Sequence, residues 1–306
     1  MSVLSALHFH NKKAAYVEAR VWPEGPVCPH CGCFGRIYKL KGKSTRIGVR
    51  KCGDCRKPFT VKVGSIFEAS HVPLRFWLQA MFLMASSKKG VSANQLHRTL
   101  GVTLKTAWFM AHRIREAMRD GALAPFGGGG GIVEADETSI GREPGTKVGR
   151  GGDHKMQVLS LVDRTTGRAR SMVMDNVNSK TVAGIVTANV QTETRLMTDH
   201  ATFYRRVGAT LEGHHWVNHG AGEHVSRFDP VIHTDTIEGF FSVFKRGMKG
   251  IYQHCAKQHL HRYLAEFDFR YSNRVALGIG DVPHADILLA GMVGKRLTYQ
   301  TARGQA

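Results

Sequence analysis

Four acidic residues in the second half of the sequence have the side chains and positions expected of metal ligands: Asp136, Asp199, Asp235 and Glu238. Asp136 ends the apolar run IVEAD, and Asp199 ends the run RLMTD. If both runs are strands that lie side by side in parallel, their carboxylates meet and offer the hard oxygen ligands that Mg²⁺ prefers. A pair of such ions, roughly 4 Å apart, can stabilise the attacking and the leaving oxygen of a phosphodiester. The acids therefore predict metal-dependent chemistry on a phosphodiester.

The third acid of such a site lies in HTDTIEGFFSVFKRGMKG, where we expect a helix over residues 235–249. At about 100° per residue, one narrow stripe forms the core face; it comprises Ile237, Phe241, Phe244 and Met248. The adjoining side carries Asp235, Glu238, Ser242, Lys245 and Lys249. Acids that only complement the helix dipole are the alternative, but they leave the lysines on the same side unexplained. The pattern favours an active-site helix, with an acid for metal and cations for DNA, and leaves open which acid binds.

A second metal site is predicted near the N-terminus by the pattern C-x2-C-x20-C-x2-C. It places Cys28, Cys31, Cys52 and Cys55 in two short knuckles, CPHC and CGDC. Four thiolates at this spacing suit one tetrahedral Zn²⁺ that joins two small hairpins. Cys33 is either a spectator or a rival ligand to Cys31. We therefore expect a structural zinc site.

The charge balance points to nucleic acid. Lysine and arginine number 43 against 24 acidic residues, which gives a net charge of +19. This excess of positive charge is typical of proteins whose partners carry phosphate. Ten of these cations crowd into the cysteine region with one acid, Asp54; they are residues 36, 39, 41, 43, 46, 50, 51, 56, 57 and 62. The longest apolar run, at 76–85, is too short to span a membrane and fits a buried helix. We expect a cytoplasmic, nucleoid-associated protein without a membrane partner.

Two helices joined by a short turn are predicted between the cysteines and the acids. Ser92 is placed to cap a helix that ends near Gly101, and Thr103 to cap a longer one that ends near Arg119. The packed face of the longer helix comprises Leu104, Ala107, Ala111, Ile114 and Met118. Its free side is expected to carry Lys105, Thr106, Phe109, His112, Arg113 and Arg119. A basic second helix is typical of a helix-turn-helix DNA reader; an ordinary helical hairpin is the alternative.

The catalytic region is expected to be α/β. Strand-like runs begin at residues 131, 155, 169 and 194, and a helical run over 179–190 separates the last two. Five consecutive glycines before the first run predict a flexible joint. The expected organisation is an N-terminal region over 1–68 with a zinc ribbon at about 25–64, a helix-turn-helix domain over 69–124, a glycine linker over 125–131, a catalytic domain over 132–275 and a C-terminal tail over 276–306.

Long motifs along nearly the whole chain resemble the bacterial insertion-sequence transposases of the ISXO-like, zinc-ribbon group. They are CPHCG, KCGDCRKPFTVKVGSIFEASHVPL, ASSKKGVSANQLHRTLGVTLKTAW, VEADETSIG, HTDTIEGFFSVFKRGMKGIY and HLHRYLAEFDFRYSNR. The resemblance implies a ribonuclease-H-like mixed sheet flanked by helices. It also implies an enzyme that uses Mg²⁺, or Mn²⁺, to cut and join DNA at terminal inverted repeats. Asp136 and Asp199 match the first two acids of a DDE-type triad.

For the third acid, the resemblance leaves two choices. Related transposases often read NTIEGFF where this chain has Asp235, which restores a carboxylate, with 35 residues between it and Asp199. Glu238, seven residues before Lys245, also matches a DDE-type signature. Asp235 is our first choice as the magnesium ligand, and Glu238 our second. Ser139 stands where relatives more often carry tyrosine.

The partners implied are double-stranded DNA, both element ends and target, and a second copy of the chain, since two ends must be joined together. Arg246 and Lys249, like the free side of the second helix, are expected to contact DNA. Arg142, Lys147 and Arg150 are further candidates. The histidines of residues 212–225 are assigned no metal. A catalytically silent DNA-binding regulator is the alternative function, and an enzyme that acts on RNA is disfavoured by the duplex-reading helix pair.

Overall fold

The computed structural model describes residues 12–121, 124–143, 145–147 and 154–297. The chain folds as two compact units. The first unit comprises residues 1–87, 91–119 and 278–306, and the second unit comprises 88–90 and 120–277. Within the described part, no helix is both long enough and apolar enough to cross a membrane.

The described residues contain nine α-helices and eight strands. In chain order they are α1 Lys12–Val21, β1 Ile37–Lys39, β2 Arg50–Cys52, β3 Pro58–Phe59, α2 Leu74–Ser86, α3 Ala93–Leu100, α4 Leu104–Met118, β4 Ile132–Ile140, β5 Met156–Asp163, β6 Ala169–Met174, α5 Ser179–Asn189, β7 Arg195–Asp199, α6 Arg205–Gly208, β8 Gly213–Val217, α7 Asp235–Gly247, α8 Lys257–Ser272 and α9 Asp281–Ala290.

The helix pair α3–α4 of the first unit begins and ends where the sequence predicts. The Ser92 hydroxyl accepts a hydrogen bond from the Gln95 amide at 3.1 Å, and Thr103 accepts one from the Thr106 amide at 3.2 Å. Gly101 closes α3 with a φ of 66°, a left-handed conformation that suits glycine. Both predicted helices are confirmed, since each has the cap that its sequence provides.

The free side predicted for α4 is wrong at two positions. His112 is 1% exposed and Arg113 is 5% exposed, whereas Leu104 is 46% exposed. The Arg113 guanidinium donates to the carbonyl oxygens of Ile66 at 2.8 Å, Glu68 at 2.8 Å and Leu297 at 3.0 Å. Helical periodicity reveals one packed stripe, but distant chain segments cover a second side of this helix. Arg113 therefore holds those segments together inside the first unit.

Residues expected to form a C-terminal tail instead contain α9, which packs against α2 and α1 in the first unit. Asp286 on α9 accepts hydrogen bonds from Tyr16 at 2.5 Å and from Arg20 at 2.5 and 2.9 Å. Burial and the bond to Asp286 raise the pKa of Tyr16 well above its ordinary value. The first unit is thus closed by both ends of its described chain.

A five-stranded mixed sheet forms the centre of the second unit, in the order β6-β5-β4-β7-β8. β4 pairs antiparallel with β5 and β5 with β6, while β4, β7 and β8 run parallel. The four strand-like runs of the sequence are β4 to β7, and the helical run is α5. The predicted α/β, ribonuclease-H-like mixed sheet flanked by helices is confirmed, and β8 is a strand that we did not predict.

The two faces of this sheet carry separate cores because successive side chains of a strand point to opposite faces. On one face, Ile140 and Val158 pack against Phe240 and Phe244 of α7 and against α8. On the other face, Val133 and neighbouring residues pack against α5. The predicted core stripe of α7 is confirmed, since Ile237, Phe241, Phe244 and Met248 are all at most 4% exposed.

The glycine run at 127–131 is a packed turn of the second unit, which differs from the flexible joint that we expected. Phe126 bridges Val190 in parallel, and the Gly131 amide donates to the Gly127 carbonyl at 3.0 Å. A Cβ atom on Gly127, whose φ is 79°, would lie 2.0 Å from the Thr194 hydroxyl. The close approach, together with the positive φ, explains why glycine stands there.

Candidate active site and metal centres

The four predicted zinc ligands converge in the first unit. The Sγ atoms of Cys28 and Cys55 are 3.6 Å apart, as are those of Cys31 and Cys52. All four sulfurs lie within 4.8 Å of one another. Zn–S bonds of about 2.3 Å in a tetrahedron place sulfurs about 3.8 Å apart, so the cluster fits one Zn²⁺.

Local backbone structure builds this cluster. The Gly32 amide donates to the Cys28 carbonyl at 2.9 Å, and the Cys28 amide donates to the Cys33 carbonyl at 2.8 Å. Backbone amides of Cys55 and Asp54 contribute to lowering the pKa of the Cys52 thiol to about 6, which favours the thiolate that a metal binds. Cys33 is not one of the four clustered sulfurs; it lies with Asp54 and Cys52 in a second grouping, which shares Cys52 with the four-sulfur cluster.

The first two predicted acids come together in the second unit. β4 and β7 are parallel with Glu134 opposite Met197, a register that places Asp136 beside Asp199. β7 ends at Asp199, whereas β4 continues to Ile140, so Asp136 lies within its strand rather than at its end. One carboxylate oxygen each of Asp136, Glu137 and Asp199 lie within 4.8 Å of one another. We call these three residues the acid cluster.

Mutual repulsion and burial mark the acid cluster as a place for a cation. Burial, then the charges of Glu137, Asp199 and Glu238, raises the pKa of Asp136 to about 8. Burial and the charge of Asp199 also raise the pKa of Glu137. A divalent cation replaces this repulsion by attraction and holds the carboxylates ionised. The donor set, three carboxylates, is the chemistry of a Mg²⁺ or Mn²⁺ site.

Glu137 was missed because strand alternation points it away from the face that carries Asp136. It is held by Tyr204, whose wholly buried hydroxyl donates to the Glu137 carboxylate at 2.9 Å. Burial and nearby carboxylates raise the pKa of Tyr204 well above its ordinary value, so the hydroxyl remains a neutral donor. The adjacent acids in VEADE are the signal that could have identified Glu137.

The two choices for the third acid differ in their surroundings, although both side chains are exposed at the start of α7. Glu238 is close enough to Asp136 to raise its pKa. The Glu238 carboxylate lies 3.0 Å from His219 Nε2 and accepts a hydrogen bond from Thr234 at 3.2 Å. His219, His224 and Glu238 form a compact grouping of possible ligands. No such grouping among the described residues includes Asp235.

A buried ion pair fixes the start of α7 against the sheet. Glu134, 0% exposed, accepts the Ile237 amide at 2.8 Å and Arg164 Nε at 2.5 Å. Arg164 also donates to the carbonyl oxygens of Val231 at 2.7 Å and His233 at 2.6 Å. Glu134 precedes Asp136 on the same face of β4, so one strand holds both a member of the acid cluster and the anchor of the helix that carries Glu238. The only sequence signal for this ion pair was an acid, Glu134, inside the apolar run IVEAD.

The cations predicted to contact DNA occupy different environments. Lys245 is half-buried against Phe241, and Arg246 is exposed, with Nε donating to the Ser242 carbonyl at 3.0 Å. Exposed Lys249 lies in a π-helical turn, Met248–Tyr252, that follows α7. On α4, Lys105 is exposed, whereas Thr106 and Phe109 are partly buried.

Two of the three loop cations that follow the first acid can be described. Arg142 and Lys147 are exposed, and Arg142 donates to the Thr146 carbonyl at 3.0 Å. Arg150 lies outside the described residues.

Comparisons with known proteins agree with this architecture. The family model of the ISXO2-like transposase domain matches residues 129–272, and that of the transposase zinc-ribbon domain matches residues 11–58. An uncharacterized protein in transposable element ISH50 of Halobacterium salinarum is 28% identical over 281 residues, which are 85% of this chain and 90% of that protein.

One solved structure gives a much weaker match. It is a chain of the cryoEM structure of the simian T-cell lymphotropic virus intasome in complex with PP2A regulatory subunit B56 gamma, at 13% identity and a TM-score of 0.30. The match covers 56% of this chain and 63% of the other, less than two thirds of its length. A TM-score this low supports no argument. The two family models match the region of the four cysteines and the region of the acid cluster, in that order along the chain, and the chain is similar to the ISXO2-like transposases that carry a zinc ribbon.

Proposed function

We propose that this transposase is a DDE-type enzyme that binds the terminal inverted repeats of an insertion sequence and catalyses Mg²⁺-dependent strand cleavage and strand transfer. The observation that supports it most directly is the acid cluster, three partly buried carboxylates in which burial and then the neighbouring acids raise the pKa of Asp136 to about 8. Such a site gains stability from divalent cations, which supply Lewis-acid activation of water or a 3′-hydroxyl at a phosphodiester.

The residues of the chain take the following roles in this proposal. Asp136 and Asp199 hold metal from two neighbouring strands, and Glu238 completes the set from α7. Glu238 replaces Asp235, our first choice from the sequence, because its charge reaches Asp136 and its carboxylate is held by Thr234 and His219. Lys245, Arg246 and Lys249 follow on α7 and the π-helical turn, where cations suit the DNA backbone.

DNA binding by the first unit rests on exposed cations. The zinc ribbon presents several lysines and arginines, and Lys105 is exposed at the start of α4. His112 and Arg113 are left out of the proposed interface because both side chains are buried. Two element ends must be joined in one event, so we propose that a dimer or larger assembly forms on DNA.

A cleavage assay tests the proposal. The purified protein is mixed with Mg²⁺ or Mn²⁺ and an oligonucleotide that carries the terminal repeats flanking its gene. We expect a nick at the 3′ end of the element and joining to target DNA, both abolished by EDTA. Binding without any nicking would favour the silent regulator instead.

The same assay separates the two choices for the third acid. We expect Glu238→Gln to abolish cleavage and Asp235→Asn to retain most of it, since asparagine is the residue that relatives often carry there. The opposite pattern would return Asp235 to the metal site.

A further inference from the structure

The segment between β8 and α7, residues 218–234, forms an ordered loop with a hydrophobic tip. Val225 and His233 form an antiparallel bridge, and the Ser226 amide donates to the Ile232 carbonyl at 2.9 Å. Asp229 accepts a hydrogen bond from the Val231 amide at 2.9 Å, so the carboxylate is used to close the turn. The loop therefore has a defined hairpin shape.

Phe228 lies at the tip of this hairpin and is 97% exposed, the highest value for a large hydrophobic side chain among the described residues. Full burial of a phenylalanine is worth about 1.5–3 kcal/mol, and none of that is gained here. The hairpin below the ring is held by its own hydrogen bonds, so the ring is presented rather than packed. An exposed ring in such a position gains free energy when a partner surface buries it.

Both ends of the loop lie at the proposed third acid. His219, near the start, lies 3.0 Å from the Glu238 carboxylate, and Thr234, at the end, donates to the same carboxylate at 3.2 Å. Arg164 holds the returning arm through the Val231 carbonyl at 2.7 Å. The hairpin thus belongs to the segment whose two ends hold Glu238.

The chemistry around the tip identifies the partner. Arg227, next to Phe228, is exposed, and Asp229 on the other side is occupied by a backbone amide. An exposed aromatic ring beside an exposed guanidinium suits a nucleobase and its phosphate, because bases stack on aromatic rings irrespective of sequence. A second protein would need a larger apolar surface than one ring.

We propose that Phe228 stacks on a nucleobase at the cleaved end of the element and holds the terminal base pair open, with Arg227 on the adjoining phosphate. This inference rests on the proposed function and adds to it a base-stacking site outside the acid cluster. The ligand is an unpaired or unstacked nucleotide of DNA.

Nicking rates on two versions of the element end test the role of the ring. One version is fully paired, and the other has the terminal base pairs mismatched. We expect the wild-type protein to cut both at similar rates. Phe228→Ala should cut the paired end about tenfold more slowly, since stacking on an aromatic ring contributes about 1–3 kcal/mol per base. It should cut the mismatched end at nearly the wild-type rate, because that end is already open.

Two further variants separate stacking from damage to the fold. Phe228→Trp keeps an aromatic face and should retain wild-type rates on both ends. Phe34→Ala removes a ring that is 82% exposed in the zinc ribbon, and it should leave the ratio of the two rates unchanged. Fluorescence anisotropy with a forked and a blunt duplex, in EDTA, should show that Phe228→Ala loses the preference for the forked DNA.

Three results would overturn the proposal. Phe228→Ala could cut paired ends as fast as the wild type, it could lose activity equally on both ends, or it could keep the preference for forked DNA. A wild-type protein that binds DNA but cuts neither end would overturn the proposed function itself, and the stacking site at a cleaved end with it.

Discussion

The zinc cluster of the first unit and the acid cluster of the second unit both gather side chains that could bind a metal ion, but the chain assembles them in different ways. Cys28, Cys31, Cys52 and Cys55 come from two short knuckles whose own backbone amides shape them. The acid cluster brings Asp136 and Asp199 together from two strands, although the two residues are 63 positions apart in the chain. The proposed active site adds Glu238 from a helix that is fixed by a buried ion pair. The first site depends on local structure, and the second on the topology of the sheet.

The largest expected effect comes from removing one acid. Asp136→Ala should reduce strand cleavage by about 10³-fold or more, because metal ions contribute several kcal/mol of transition-state stabilisation. Cleavage of a labelled repeat measures the rate, and Mn²⁺ titration monitored by electron paramagnetic resonance measures the metal site. The zinc content should remain one per chain, since the zinc cluster is formed by other residues. Full activity of Asp136→Ala would refute the proposed active site.

A substitution in the zinc cluster should reduce cleavage less than the loss of Asp136 does, but it should abolish zinc binding. Cys52→Ser removes one of four thiolates and should release zinc and unfold the ribbon, since metal binding supplies its folding free energy. Zinc analysis measures the release of the metal. The loss of the folded ribbon is measured by the affinity for the element end, which we expect to fall at least tenfold. Melting of the second unit should be unchanged. Retention of zinc by Cys52→Ser would show that Cys33 can replace a ligand.

The sequence predicted the zinc cluster more completely than the acid cluster, because the first depends on local structure and the second on the topology of the sheet. The cysteine spacing identified all four zinc ligands because local turns bring them together. Periodicity identified β4, β7 and the core face of α7, and hence Asp136 and Asp199. It did not identify Glu137, which strand alternation places on the other face of β4 from Asp136. It also did not identify the ion pair of Glu134 with Arg164, since that pair depends on a contact between distant segments. For the same reason it placed His112 and Arg113 on a free side that the fold covers.

The ion pair below α7 gives the next prediction. Arg164→Ala leaves Glu134, 0% exposed, as a buried carboxylate without its ionic partner, and should destabilise the second unit by about 3–5 kcal/mol. Glu134→Gln keeps an acceptor for the Ile237 amide and should reduce the stability of the second unit by less than Arg164→Ala does. It should also weaken Mn²⁺ binding, because Glu238 is then held less firmly. Denaturant unfolding measures the stability. Arg119→Ala, which removes a 53% exposed arginine from its pair with Glu116, is the control and should change stability by less than about 1 kcal/mol. Equal losses for Arg164→Ala and the control would mean that the pair does not anchor the helix.

Asp268 of α8 is an acid of the second unit that accepts hydrogen bonds from a serine, and it provides the smallest effect. Its carboxylate accepts the Ser171 amide at 2.8 Å and the Ser171 hydroxyl at 2.7 Å. Burial nevertheless raises the pKa of Asp268 to about 7. Because the folded pKa lies above the ordinary value, this residue favours the folded state most at low pH. Its contribution is lost as the pH rises from about 4 through about 7.

Asp268→Asn should therefore make the stability of the second unit less dependent on pH, since asparagine can bond Ser171 at every pH. Denaturant unfolding between pH 5 and 8, in EDTA, compares the two proteins, and the variant should gain relative to the wild type as the pH rises. An unchanged difference across that range would mean that Asp268 is ionised throughout. The two hydrogen bonds from Ser171 would then suffice to keep a buried carboxylate ionised in this fold.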